Sequence, residues 1–117
     1  MEEGYIVEKQ DQRTRVYFIN EKGNKKRLKR PYWLDSSVPF GFDVLGKGAY
    51  AVSHVILKHA LGKQAADFCA HRFKRELLER REGNTTRIKL KYIKEWEQKQ
   101  IELDHLEERR VPSEKRR

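Results

Sequence analysis

The chain has 117 residues and a formal net charge of +9, so it is long enough for one domain and is strongly basic. Its 10% aromatic content and its aliphatic clusters exclude wholesale disorder, and a lone cysteine, Cys69, excludes an intramolecular disulfide. No run of about 18 apolar residues offers a membrane span. The acidic start Met1-Glu2-Glu3, with no apolar stretch after it, is unlike a secretory signal and predicts a cytoplasmic protein.

The first third of the chain predicts a three-stranded antiparallel sheet. Its β-branched and aromatic residues fall in two short runs, Tyr5-Ile6-Val7 and Thr14 to Ile19, and the basic run Lys25 to Arg30 can return as a third strand. Gly23 lies in a polar turn between the second and third runs. Pro31 lacks an amide donor and is expected to end the third strand or to place it at an edge.

Helices are predicted for the rest of the chain. The segment from Ala49 to Leu61 is apolar nearly all the way round, which indicates a buried central helix that ends at Gly62. A second helix is expected from about Lys63 to Arg81. Its buried face recurs at three- and four-residue spacing at Ala66, Cys69, Phe73 and Leu77.

A third helix is predicted from Lys91. Its inner stripe is expected to hold Ile93, Trp96, Leu103 and Leu106. Before it, Thr85-Thr86 is suited to capping a further segment, and the alternation of Ile88 and Leu90 fits either a short strand or a linker. The fold class is therefore α+β, a small antiparallel three-stranded sheet followed by three helices. Residues 1–98 form the domain, and residues 99–117 form a charged helical extension with a flexible basic tail.

Basic and aromatic residues are concentrated from Lys25 to Trp33. Cations pair with phosphates and flat rings stack on bases, so this segment predicts a nucleic-acid contact. Its cationic part, together with the preceding strand, comprises Arg13, Arg15, Lys25, Lys26, Arg27, Lys29 and Arg30, followed by Tyr32 and Trp33 as stacking residues. An edge strand protected from aggregation by lysines is the alternative explanation, with Trp33 as a core residue.

The segment from Gly41 to Gly48 has the spacing of a phosphate-binding loop, G-x-x-x-x-G-K-[ST]. Its last position is Gly48, so the hydroxyl that holds Mg²⁺ is missing, and nucleotide hydrolysis is not expected. Lys47 still lies just before a helix, whose free amides attract anions, and is a candidate phosphate ligand. The alternative is a tight turn in which the glycines allow close packing.

The second helix can extend the basic surface. Arg72 and Arg75 lie opposite its apolar face. The alternative is a solvated face on which Glu76, Glu79 and Glu82 pair with these arginines.

The histidines and the cysteine do not form a metal-ligand pattern. His54 and His59 are five residues apart, and Cys69 and His71 are two apart, so neither pair shares a helix face. Serine, aspartate and histidine residues are scattered without a catalytic motif. No metal, cofactor or small-molecule substrate is therefore predicted, and the protein is expected not to be an enzyme.

Several motifs together resemble a small domain family of unknown function found in bacteria, archaea and their viruses. The resemblance covers roughly residues 14 to 97 and departs from the family in the glycine loop, which has fewer glycines and an inserted Lys47. It is carried by these motifs: Val16-Tyr17-Phe18, Phe40-Gly41-Phe42, Gly46-Lys47-Gly48-Ala49, Ile56-Leu57, Leu61-Gly62, Ala65-Ala66, Phe73-Lys74, Leu77-Leu78 and Ile93 followed by Trp96. The resemblance implies the element boundaries and transfers no activity.

The leading hypothesis from the sequence is a non-enzymatic nucleic-acid-binding or accessory protein, of a kind that suits a mobile element or a virus. DNA and RNA are both open. The alternative is a protein-interaction module that engages an acidic partner or forms a homodimer through its C-terminal helix.

Overall fold

A computed structural model describes residues 2–10, 13–34, 47–78 and 85–110. Within them the chain forms one mixed α+β unit with a sheet whose strand order is β3-β2-β1-β4, every neighbouring pair being antiparallel. The strands and helices, in chain order, are β1 Gly4–Gln10, β2 Arg13–Ile19, β3 Lys25–Leu28, α1 Lys47–Leu61, α2 Lys63–Phe73, β4 Thr85–Lys89 and α3 Leu90–Arg110.

The predicted meander of three strands is present, and the sheet has a fourth strand that the prediction lacked. β4 pairs with the free side of β1, with Tyr5 opposite Ile88 and Val7 opposite Thr86. Thr85 and Thr86 therefore belong to the strand itself and do not precede it as a cap. The short-strand alternative is confirmed for Ile88, whereas Leu90 begins α3. Thr86 and Ile88 are buried while their neighbours are exposed, the alternation that a half-buried strand shows.

The first two helices form a hairpin hinged at Gly62. The backbone of Gly62 has φ of +101°, a conformation that side-chain-bearing residues rarely adopt, so the predicted stop at this glycine is confirmed. Its amide donates to the carbonyl of Lys58 and its carbonyl accepts from Ala66. The prediction that α1 is central and buried is also confirmed, because Ala51, Val52 and Leu57 have no exposed surface.

The second helix is shorter in its regular part than predicted. It is α-helical to Phe73 and continues as one π-helical turn, Lys74–Leu78, which buries Leu77 and Leu78. The predicted end at Arg81 lies outside the described residues, as do the glycine loop before α1, residues 35–46, and the tail after Arg110.

One residue of the inner stripe predicted for the third helix is not buried. Ile93 and Trp96 are buried as expected, but Leu103 is 51% exposed, and Gln100 is buried in its place. Leu103 follows Trp96 by one heptad and lies within about 20° of it around the helix axis. Its exposure therefore shows that this part of α3 extends past the described core, to which α3 contributes Ile93 and Trp96. The side chain of Leu106 lies outside the described residues.

One hydrophobic core lies between the helices and one face of the sheet. Its residues come from the inner positions of all strands and from all helices: Tyr5, Val7, Val16, Leu28, Val52, Ile56, Leu57, Ala66, Ala70, Phe73, Leu77, Leu78, Ile88, Ile93 and Trp96. Polar bonds tie α3 to the α2 region, since Trp96 Nε1 donates to Glu76 at 2.8 Å. Among the described residues, no helix combines the length and apolar character of a membrane span.

Candidate nucleic-acid interface

Strand register divides the sheet into two faces, because side chains alternate along each strand and cross-strand partners share a face. The inner face holds the sheet residues of the core. The opposite face, called the open face below, contributes no residue to that core. Its described side-chain positions, from β3 to β4, are Lys25, Arg27, Arg15, Tyr17, Ile19, Gly4, Ile6, Glu8, Thr85, Arg87 and Lys89.

Two rows of partners cross the open face and share one pattern. One row runs Arg27, Tyr17, Ile6, Arg87, and the next runs Lys25, Ile19, Gly4, Lys89. In each row the cations lie on the outer strands and the aromatic, apolar or glycine positions lie between them. Neighbouring strands are about 4.8 Å apart, so the two lines of cations are separated by roughly 14 Å. The open face is therefore an apolar strip with a basic border on each side.

Half of the basic border, namely Lys25 and Lys89, has acidic partners, and the arginines of the border have none among the described residues. The ammonium of Lys25 lies 5.1 Å from the centroid of the Tyr17 ring and 3.6 Å from a carboxylate oxygen of Glu8. Lys89 pairs with Glu2 at 3.1 Å. Within the described residues, Arg15, Arg27 and Arg87 have no ion-pair partner, so three guanidinium groups are available to a ligand.

The centre of the open face is shielded by its own side chains. Ile6 is only 3% exposed although it lies outside the core. Its cross-strand neighbours are Tyr17 and Arg87, whose long side chains flank it on both sides. The arginines are therefore held beside an apolar floor, where the local dielectric is lower than in bulk water.

Only part of the predicted basic segment lies on this face. Arg15, Lys25 and Arg27 do, whereas Lys26 is on the inner face near His59, where its charge and the burial of the ring lower the pKa of that imidazole. Lys29 and Arg30 follow the end of β3 and are exposed. The register places Arg13 opposite Gln10 at the far end of the sheet, and its side chain lies outside the described residues.

The predicted stacking residues lie away from the open face. Tyr32 is 97% exposed. Trp33 is 43% exposed and packs against α1, with ring centroids 6.0 Å from Tyr50 and 5.4 Å from His54. One part of the Trp33 ring therefore packs against α1, as expected of a core residue, and the other part is exposed and open to a ligand.

The predicted cations on the helices are separate from the sheet's basic border. Arg72 donates to Gln100 at 2.7 Å and lies 3.7 Å from Asp104, so it links α2 to α3. Arg75 is exposed on the π-helical turn. Lys47 begins α1, and its side chain lies outside the described residues.

The sequence analysis missed the residues that complete the open face. Arg87 and Lys89 form its second border, and Tyr17 stands in its centre. The signal was present in the segment Thr85-Thr86-Arg87-Ile88-Lys89, in which charged residues flank Ile88 and two β-branched threonines precede them, a composition that suits a strand. Recognising that strand would have placed both cations on one face.

A separate cluster joins α1 to α2 through a histidine. The buried His54 donates from Nε2 to Asp67 at 2.8 Å, and this bond lowers the pKa of the Asp67 carboxyl. The rings of Tyr50 and His71 are in contact, tilted by 42° with their centroids 4.5 Å apart. The hydroxyl of Ser53 is buried and donates to the carbonyl of Ala49, so it serves the helix.

The described residues offer no metal cluster of histidine, cysteine, aspartate and glutamate. Cys69 packs against the core, and burial raises the pKa of its thiol, which keeps it protonated. The His54–Asp67 pair can hold an imidazole in place, but no described hydroxyl or thiol is hydrogen-bonded to it.

Two grooves differ in charge. The larger, about 830 Å³, lies between the N-terminal residues and α3, and its acids outnumber its lysines: Glu2, Glu3, Glu21, Glu95, Lys91 and Lys94. The smaller, about 400 Å³, opens on the sheet, and its lining includes the cations Arg87 and Lys89, the acids Glu2 and Glu3, and the residues Gly4, Ile6 and Ile19. The larger groove is therefore net acidic, whereas acids and cations balance in the smaller one.

Comparisons of the chain with protein-family models, curated proteins and solved structures find no match to any of them. The resemblance noted from the sequence motifs therefore stays a prediction, and the function is argued from the geometry of the open face.

Proposed function

We propose that the protein binds nucleic acid through the open face of its sheet. The observation that carries this proposal is the set of three guanidinium groups, Arg15, Arg27 and Arg87, that have no described ion-pair partner and surround an apolar centre. Arginine presents a rigid fork of donors that matches phosphate oxygens. The net charge of +9 adds a long-range attraction for polyanions.

The arrangement favours a nucleic acid over an acidic protein as the ligand. Binding of an acidic peptide requires only cations, whereas the open face also has Tyr17 and Ile6 between its cations, where the apolar face of a base can make contact. Four-stranded sheets with aromatic and basic residues on one face are a recurring platform for nucleic acids, because bases contact the apolar centre while phosphates contact the border.

Salt-dependent binding tests the proposal. The triple variant Arg15→Gln, Arg27→Gln and Arg87→Gln removes the unpaired guanidinium groups, and affinity for a single-stranded oligonucleotide is measured by fluorescence anisotropy across a salt series. If each arginine neutralises one phosphate, the slope of log affinity against log salt falls by about 2 in magnitude.

The matched control removes the same charge from exposed helix positions, as Lys58→Gln, Lys63→Gln and Lys99→Gln. It is expected to keep most of the slope of the parent protein. Equal losses in the two triple variants would show that net charge alone governs binding and would reject the open face as the site.

A second candidate function is self-association through the distal part of α3. Ile101 and Leu103 are exposed there, and Phe68 on α2 is 89% exposed, so apolar side chains are available to a second copy. The double variant Ile101→Ser and Leu103→Ser tests this candidate by sedimentation equilibrium. A parent chain that is monomeric at high concentration, or a dimer that the variant leaves intact, would reject it.

A further inference from the structure

The smaller groove on the open face has a mainly apolar floor and a charged rim. Ile6 and Ile19 supply side chains to its floor, and Arg87 and Lys89 lie along the β4 side. Its volume of about 400 Å³ is at the scale of small-ligand sites and is far more than one water molecule needs. The groove is therefore large enough to take a planar ring system.

The depth of the groove depends on the absence of a side chain at Gly4. A Cβ at this position would lie 2.7 Å from the carbonyl oxygen of Ile88, a distance that the neighbouring backbone does not permit. The row that runs from Lys25 through Ile19 to Lys89 thus has no side chain at Gly4, and β1 and β4 approach closely there. The backbone packing of the sheet itself creates the depression.

The apolar side chains of the groove are not covered by Lys25, unlike the ring of Tyr17. The Tyr17 ring has the ammonium of Lys25 above it at 5.1 Å, because Lys25 reaches over the ring toward Glu8. Lys25 is thereby directed away from its row partner Ile19. A flat apolar ligand meets less competition on Ile19 than on Tyr17.

Polar groups at the rim suit a base and its phosphate. Arg87 and Lys89 can contact a phosphate next to the groove. Glu2 lies beside Lys89 at 3.1 Å, and its carboxylate is an acceptor for an exocyclic amino group, the kind of contact that carboxylates make with cytosine. Two carboxylates, Glu2 and Glu3, and two cations, Arg87 and Lys89, therefore line one apolar groove.

We propose that this groove binds one unstacked base of a single-stranded nucleic acid, with the adjacent phosphate on Arg87 and Lys89. The inference rests on the proposed function and deepens it, since it names single strands as the ligand. Bases of a duplex are stacked and paired, so their faces cannot enter a groove of this kind. Unstacking a base costs less free energy in a single strand than in a duplex, and contact with the apolar groove offsets that cost.

Oligonucleotides with and without bases test the inference on the unmodified protein. The probes are a mixed-sequence DNA single strand of about 12 nucleotides, an abasic strand of equal length and charge, and a duplex of the same sequence. At one fixed salt concentration, the intact single strand is expected to bind roughly 5- to 100-fold more tightly than the abasic strand, the range that stacking of a base provides. It is also expected to bind more tightly than the duplex.

Filling the groove provides the second arm. Ile19→Trp fills the floor of the groove with a large side chain and is expected to reduce the preference for the intact over the abasic strand to near unity. Thr85→Trp adds the same ring on the same face outside the groove lining and is expected to keep the preference.

Equal affinities of the unmodified protein for intact and abasic strands would overturn the groove as a base site and leave the proposed function standing. Tighter binding to the duplex, or a preference that persists in Ile19→Trp, would also overturn it. Absence of binding to every probe at low salt would reject the proposed function and the groove together.

Discussion

The two faces of the same sheet have opposite properties. The inner face contributes Tyr5, Val7, Val16 and Ile88 to a continuous core, whereas the open face presents arginines and lysines around Tyr17 and Ile6. The strands alternate between these roles at every residue, so Arg87 and Ile88 are neighbours in sequence and lie on opposite sides of the sheet. The inner face supplies the sheet's part of the core, and the open face is the one on which we propose that nucleic acid binds.

This separation shows why the basic charge of the chain cannot be treated as a single property. Lys26 and Arg27 are adjacent cations, yet one lies against the helix layer beside His59 and the other borders the open face. Arg72 is engaged by Gln100 and Asp104 in holding two helices together. Location relative to the sheet, and not the number of cations, decides which residues are available to a polyanion.

The largest expected difference is between neighbouring residues of β4. Ile88→Ala removes a buried side chain from the core and is expected to lower the free energy of unfolding by about 2–5 kcal/mol. Arg87→Ala on the open face is expected to change it by about 0.5 kcal/mol or less while weakening nucleic-acid binding. Urea denaturation of the two variants measures both values. Comparable destabilisation by the two changes would show that the open face is also structural.

The next comparison separates two adjacent cations of β3. Arg27→Gln is expected to reduce the magnitude of the salt slope of nucleic-acid binding by roughly 1, because one phosphate contact is lost. Lys26→Gln, which removes the same charge from the inner face, is expected to leave the slope nearly unchanged. Anisotropy titrations over a salt series measure both. A larger effect from Lys26 would place the ligand at the edge of the helix layer.

A smaller effect is expected from the acidic residue on the open face. Glu8 lies 3.6 Å from Lys25, so Glu8→Gln frees that ammonium and removes a repulsive charge. Affinity for a single strand at low salt is expected to rise about twofold to fivefold, the scale of an exposed ion pair. Weaker binding of this variant would mean that the Glu8–Lys25 pair positions a binding residue.

The smallest expected effect is the contribution of His59, on the helix-facing side of the sheet, to the pH dependence of stability. Burial, and then the charge of Lys26, lower the pKa of His59 below its ordinary value of 6.5. Below that pH the unfolded chain takes up a proton before the folded chain does, so the contribution of His59 is full above 6.5 and is lost as the pH falls. The ring is hydrogen-bonded to Tyr5 at 2.7 Å, so its replacement also costs stability at every pH.

Thermal unfolding of the parent protein and of His59→Gln, at about pH 7.5 and at about pH 5, isolates this contribution. The parent is expected to lose more stability on acidification than the variant does. His71→Gln, at an exposed histidine, is the control and should follow the parent. A steeper loss in His59→Gln than in the parent would contradict the assignment.

The sequence predicted most of the elements because their signals are local. Gly62 after an apolar segment marks the end of α1, and the β-branched and aromatic run at Val16 marks β2. The mixed α+β class and the meander of the first three strands follow from such signals. Leu103 was misplaced because apolar spacing predicts which face of a helix is apolar but not how far along the helix the core extends, and the described core contains only Ile93 and Trp96 from the buried positions of α3.

The sequence predicted the cations that β2 and β3 contribute to the open face, but not those that β4 contributes. Arg15, Lys25 and Arg27 lie in one stretch of chain, so their common location follows from strand alternation. Arg87 and Lys89 reach the same face through a strand that returns after two helices, and no local pattern specifies that β4 pairs with β1. The groove depends on the close approach of those two strands at Gly4, which is a tertiary fact.

Isoleucine methyl groups provide the most direct measurement, because they report on both faces within one sample. Ile6 and Ile19 lie on the open face, whereas Ile56, Ile88 and Ile93 lie in the core. In a titration of methyl-labelled protein with a single-stranded oligonucleotide, followed by NMR, the signals of Ile6 and Ile19 are expected to shift while those of Ile56 and Ile93, which do not line the groove, stay in place. Binding that leaves Ile6 and Ile19 unmoved, or that shifts only Ile101 on α3, would contradict the open face as the binding surface.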